Sequence, residues 1–303
     1  MDGRISNLMQ LASIRRYEMT EGPERGLRAL DCDNGKLRFL LNESKALDVM
    51  QMYHKGENVS FVSKNGFTAR EIAFENRFEG GMLYTCGLDS VGAREGFELH
   101  GSHHNTPARV TRAEVNEEGI LIEAEIRETA LFGKNLVFRR RVFSRIGSDT
   151  LEIFDTLENC GTREEEYCLL YHVNVGYPML DEGAELIDDA EEVIPRTPWA
   201  AEHIGSRRAI GAAVANQEEM CYFLRLKTPS VTLKNAALGK QFTLEWLQET
   251  LPHFVEWKSM ASGDYALGLE PCTTELDDRF SYSSIAPGQQ VCMRMCLRVC
   301  ADW

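Results

Sequence analysis

Apolar and polar residues alternate with a period of two along much of this chain. In Ile120–Arg127, for example, Ile122, Ala124 and Ile126 stand against Glu123, Glu125 and Arg127, the pattern of a strand with one buried and one wet face. The same pattern, with β-branched and aromatic enrichment, predicts strands over Leu37–Leu41, Leu136–Phe143, Leu151–Leu157, Tyr167–Tyr177, Tyr222–Leu226, Val231–Leu233, Phe242–Leu247, Phe254–Met260, Tyr265–Glu270 and Val291–Val299. Turn-forming clusters punctuate them, among them Glu117-Glu118-Gly119, Ile146-Gly147-Ser148-Asp149, Asn159-Cys160-Gly161, Ser262-Gly263-Asp264 and Pro287-Gly288. Ser44–Tyr53 falls outside the strand pattern. So does Asp181–Ala215, whose Pro195, Pro198 and Trp199 mark either a surface insertion or the rim of a site. Many strands at short spacing, without a linker or internal repeat, predict an all-β sandwich in a single domain over residues 1–303.

Charge narrows the partners. The 303 residues carry 47 acidic and 33 basic side chains, a net charge of −14, so phosphate backbones and anionic membrane surfaces are repelled. A small neutral partner is expected, with no nucleic acid and no membrane, and the oligomeric state is left open. Asp2, Arg4 and Asn7 precede any apolar run, so no signal peptide is read and a soluble, cytoplasmic protein is expected. The nine cysteines are scattered without a Cys-x-x-Cys pair, which favours reduced, partly buried thiols over a disulfide framework or a zinc site.

Three stretches could carry chemistry. In Cys168–Tyr177, Tyr171, Val173, Val175 and Tyr177 form a core face, while Leu170, His172, Asn174 and Gly176 share the other, where the glycine leaves space. In Tyr265–Pro271, Ala266, Gly268 and Glu270 share a face, and Pro271, lacking an N–H, marks the strand's end. Each has a structural alternative: a satisfied buried histidine for His172, a sheet-edge carboxylate for Glu270. The third stretch holds His100, His103 and His104. Their spacing suits a metal site poorly, but neutral imidazoles both give and take hydrogen bonds, as sugar hydroxyls require. Trp257 and Lys258 follow Glu256 on the preceding strand, the indole reading either as a core residue or as a sugar-stacking face. In Arg139-Arg140-Arg141 the outer pair shares a face that Arg140 does not, and the run reads as a solvated sheet surface.

In order along the chain, Asn76-Arg77-Phe78 with Glu79-Gly80-Gly81, Thr85-Cys86-Gly87-Leu88, Leu99-His100-Gly101, Tyr171-His172-Val173-Asn174, Trp257-Lys258, Gly263-Asp264-Tyr265 through Gly268-Leu269-Glu270-Pro271, and Pro287-Gly288 resemble the aldose 1-epimerase (galactose mutarotase) superfamily. The resemblance implies a β-supersandwich with a concave sugar-binding cleft and an enzyme that interconverts sugar anomers without metal or cofactor. It implies His172 as general acid and Glu270 as general base, with Arg77 and His100 orienting the substrate. His103, Asn174, Trp257 and Lys258 complete the expected sugar-binding set. Val173-Asn174-Val175 and Pro271-Cys272-Thr273 depart from the best-known members, which leaves the sugar open. A sugar-binding protein without turnover is the alternative.

Overall fold

Three antiparallel sheets build the computed structural model, which describes residues 3–301; Asp2 and the two ends of the expected 1–303 domain lie outside the described residues. An eight-stranded sheet runs in the order Glu185–Ile187, Ser230–Asn235, Lys240–Trp246, Gln290–Ala301, Thr150–Asn159, Asn135–Arg145, Gly119–Thr129 and Arg109–Val115. Facing it, a second sheet runs Ala190–Pro195, Met220–Leu226, His253–Ala261, Asp264–Cys272 and Glu165–Val175, with Leu83–Leu88 on the far side of the last strand. Ser13–Glu18, Arg28–Asp33, Leu37–Asn42, Asp48–His54 and Glu57–Asn58 form a five-stranded sheet at the N-terminal side. This is the expected all-β double sheet.

Every segment predicted as a strand is one, with ends shifted by a residue or two. Period-two alternation survives in burial: Thr150–Asn159 alternates half-buried and buried residues along its whole length. One missed strand lacks that signal altogether. All six residues of Leu83–Leu88 are buried, so both faces are apolar or small and no alternation exists to read. Ser44–Tyr53 falls outside the alternation, yet its second half pairs with Leu37–Asn42 as the strand Asp48–His54, with a register shift between Leu40 and Leu41; before it, Ala46 and Leu47 adopt left-handed backbone angles of φ 46° and 54°.

Two further expectations are corrected. Pro271 does not end its strand, which continues to Cys272 with Pro271 opposite Phe254. What the missing N–H does is open the ladder on the other side: Glu165–Val175 pairs with this strand at Leu170↔Cys272 and at Val173↔Leu269, but not in between. Tyr177, expected in the core, is 66% exposed because the strand stops at Val175; Tyr171, Val173 and Val175 do enter the main core.

Between the sheets lies a polar network centred on Arg140, whose side chain is fully buried. Its guanidinium donates from Nε and Nη2 to Asp155 at 2.9 and 2.7 Å, from Nη2 to Thr85 Oγ1 at 3.0 Å, and from Nη1 to Asp48. Tyr171 donates to Asp155 Oδ2 at 2.7 Å, and His104 Nδ1 lies 2.6 Å from Asp48 Oδ2. The reading of Arg139-Arg140-Arg141 as a solvated surface therefore holds for the outer pair alone, whose side chains are 43% and 51% exposed. Alternation sends Arg140 inward, where only a full set of carboxylate and hydroxyl acceptors makes a buried guanidinium tolerable.

Replacing Arg140 by Met leaves Asp48 and Asp155 buried without their cation, and is expected to cost about 3–5 kcal/mol in urea unfolding. Arg139→Ala or Arg141→Ala, each breaking only exposed pairs, is expected to cost under about 1 kcal/mol.

Candidate functional site

Strand register brings the site together. The pairings at Leu170↔Cys272 and Val173↔Leu269 fix His172 opposite Glu270, so the imidazole and the carboxyl project side by side from one face of the second sheet. His172 Nε2 lies 3.2 Å from Glu270 Oε1. Gly268 makes room for the pair: a Cβ there would meet Glu270 Oε1 at 2.4 Å and His172 Cε1 at 3.0 Å. The small residues before Glu270 thus clear space for the two heads themselves. Gly176 differs, because its open side is filled by the backbone of Phe61, whose Cα lies 2.5 Å from where a Cβ would stand.

These groups face a cavity of about 840 Å³. Cys221 and Leu276 line it and belong to a small apolar cluster that also includes Tyr84, Cys86, Cys168, Leu170, Phe223 and Cys272. Trp257, opposite Gly268, puts its ring centroid 5.5 Å from that of His172 and donates from Nε1 to Glu219 Oε2 at 2.7 Å. Phe74 and Phe78 stack at 5.0 Å along another wall, Phe78 reaching 5.8 Å from His172. His100, held at φ 65°, stands edge-on to His172 at 5.6 Å. Arg196 completes the wall, its guanidinium forked on Asp277 at 2.6 and 2.8 Å.

Burial sets the protonation. It pulls His172 down to about 3, aided by the nearby His100, and His100 down to about 4, aided by the charge of Arg196. Burial and then Glu219 push Glu270 well above the carboxylate range, with Arg196 pulling back. Burial thus favours the uncharged form of both groups, a neutral imidazole beside a carboxyl that holds its proton more tightly than in solution. Solution values suggest an ionised glutamate and a protonated histidine; burial opposes both charges. His172 Nδ1 and Glu270 Oε1 are buried without a hydrogen-bond partner, so the site keeps free valence for a hydroxyl-bearing ligand.

Of the residues singled out from the sequence, His172, Glu270, His100 and Trp257 line the cavity. Arg77 does not line it; it is buried between the lining residues Asn76 and Phe78 in sequence and paired with Glu98. Asn174 is fully buried and donates to the carbonyl of His172 at 3.0 Å. His103 and Lys258 are elsewhere. His103 Nδ1 lies 3.0 Å from Glu128 Oε1, with its ring against Phe138 between the sheets. Lys258 points to the face opposite Trp257, as strand alternation requires, and its ammonium donates to the carbonyls of Arg207 and Ala209. The histidine cluster is dispersed, since His104 lies between Asp48 and Glu79 and stacks on Tyr84 at 3.7 Å. Among the described residues no three His, Cys, Asp or Glu side chains gather as a metal site, and all nine cysteines are free. Arg196 and Glu219 escaped the sequence reading. Arg196 belongs to the irregular Asp181–Ala215 stretch, so that stretch both adds strands to the sheets and supplies a cavity residue.

The architecture defines the class: a galactose mutarotase-like sandwich. A Klebsiella pneumoniae protein provisionally described as an aldose 1-epimerase superposes with a TM-score of 0.85 at 19% identity, over 98% of this chain and 87% of that one. A galactose mutarotase-like protein from Clostridium acetobutylicum gives 0.72 at 14% identity, over 96% and 99%. One from Lactobacillus casei gives 0.61 at 12%, over 91% and 100%. At such identities the likeness is one of fold. Within that class the chain belongs to the family described as Domain of unknown function (DUF4432), whose model matches residues 24–283. No curated protein matches the sequence. No helix among the described residues is long and apolar enough to cross a membrane.

The electrostatics predict that the ring protons of His100 and His172 show no titration between pH 5 and 8 in NMR spectra. His104, desolvated but held by Glu79 and Asp48, should stay protonated above pH 6.5. A midpoint near 6.5 for His172 would contradict the dry site.

Proposed function

We propose that the protein is an isomerase acting at the anomeric carbon of a reducing sugar, working as a single cytoplasmic domain with no metal or organic cofactor. The observation that carries the reading is the cross-strand pair His172–Glu270, 3.2 Å apart at a cavity lined by aromatic rings. Opening a hemiacetal ring requires removing the proton from the C1 hydroxyl and protonating the ring oxygen. Glu270, holding the proton, donates to the ring oxygen, and neutral His172 Nε2 accepts the hydroxyl proton. The exposed aldehyde rotates about the C1–C2 bond. Closure on the other face returns both protons, each group now in the opposite role, so the pair ends as it began. For ring opening the two roles are the reverse of the expected assignment of His172 as acid and Glu270 as base.

The wall supports the same chemistry. The Trp257 indole, fixed by Glu219, offers a flat apolar surface to the sugar's C–H face, and His100, uncharged, can give or take a hydrogen bond. Arg77, beside Phe78 in the wall, supports the geometry from behind through Glu98. Asn174 orients the His172 backbone, while His103 and Lys258 lie too far from the cavity to touch a sugar.

Saturation-transfer NMR on a panel of aldoses is expected to show accelerated exchange between α and β anomers. Glu270→Gln and His172→Gln should each slow it by about 10²–10⁴-fold while sugar binding persists. Gly268→Ala is expected to slow exchange by about tenfold or more by displacing Glu270 and His172, with the fold retained. Sugar binding without exchange in the unmodified protein would leave a binding protein, not an isomerase.

A further inference from the structure

The cavity is longer than the acid–base pair needs. Asp264, Ala266, Gly268 and Glu270 share one face of their strand, and six residue steps carry that face about 20 Å from Glu270 to Asp264. Both ends line the same cavity, whose volume of about 840 Å³ is in the upper range of ligand pockets. Trp257 divides it. The indole stands opposite Gly268, beside the reacting groups; beyond it Ser259 pairs with Ala266 and Ala261 with Asp264, so the floor drops to small side chains. Phe61, whose N–H donates to the Asn174 carbonyl at 3.0 Å, flanks this far compartment on the side of Glu165–Val175, and Gln217 flanks it on the side of Met220–Leu226. Lys64 Nζ, 2.7 Å from Asp264 Oδ2, closes its end. The Gln217 amide and the Ser259 hydroxyl offer both donors and acceptors there, as sugar hydroxyls require.

A single ring whose C1 hydroxyl meets His172 and Glu270, and whose C–H face lies on Trp257, does not reach the far compartment. From this we infer that the site takes the reducing end of a disaccharide or longer oligosaccharide, with the second unit attached remote from C1 and seated between Phe61 and Gln217 over Ser259 and Ala261. The inference rests on the sugar-binding part of the proposed function and adds the class of substrate. Chemistry sets the direction of the chain, because a second unit linked at C1 would remove the hydroxyl whose proton His172 accepts. Contacts to the second unit are made away from the reacting bonds, and they hold C1 in register with the pair, so they raise turnover as well as affinity.

Glucose, galactose and mannose, each compared with 1,4- and 1,6-linked disaccharides that carry the same sugar at the reducing end, test this directly. Anomeric exchange measures turnover, and saturation-transfer difference spectra show which unit touches the protein. At least one disaccharide is expected to exceed its parent monosaccharide by about tenfold or more in kcat/KM, with protons of both units saturated. Ala261→Trp, which fills the far compartment, is expected to abolish that advantage, and Gln217→Ala, which adds no bulk, to reduce it several-fold. Disaccharides no better than their parent sugars, saturation confined to the reducing unit, or an advantage untouched by both substitutions would overturn the inference and leave the isomerase reading standing. Disaccharides bound through both units without exchange would support the inference and remove the isomerase. Absence of both binding and exchange with all these sugars would overturn both.

Discussion

One buried guanidinium holds the three sheets in register. Arg140 comes from the eight-stranded sheet, as does Asp155; Asp48 comes from the N-terminal sheet, and Thr85 and Tyr171 from the second sheet. A charge this deep is tolerable only when every donor is met, and the network meets it: Arg140 and Lys45 stand against Asp48, Asp155 and Glu79, with His104 bridging Asp48 and Glu79. Apolar packing alone is indifferent to small slips between layers. A forked guanidinium is not, because its hydrogen bonds fail within an ångström of displacement.

That constraint reaches the cavity through adjacent residues. Tyr171 and Thr85 are anchored in the network, and their chain neighbours His172 and Tyr84, which alternate to the opposite face, are paired across strands. His104 carries it a second way by stacking on Tyr84, whose ring also meets Phe74 and Phe78 of the cavity wall. The acid and base are thus set on rigid strands by a network on the reverse of the same sheet, and loops contribute mainly the wall.

Much of this was legible in the chain. Alternation marked most strands of the two large sheets, and the same alternation placed His172 and Glu270 on faces with small neighbours. It was silent where a strand is buried on both faces, as at Leu83–Leu88, and where an insertion has no period, which hid Arg196. It also misled by adjacency. His100, His103 and His104 are close in sequence, yet a left-handed residue and a short helical turn aim the first at the cavity and the other two between the sheets. Trp257 and Lys258 part for the simpler reason that neighbours on a strand face opposite ways.

By itself, then, the sequence determined the all-β class, the approximate strands and the residue types of an acid–base pair, because these depend on local periodicity and side-chain chemistry. Only the tertiary structure decided that His172 and Glu270 face each other at 3.2 Å, that Arg140 is interior, and that burial disfavours the charged form of both His172 and Glu270. Those outcomes depend on strand register and on the exclusion of water, and neither is a property of any stretch of chain read alone.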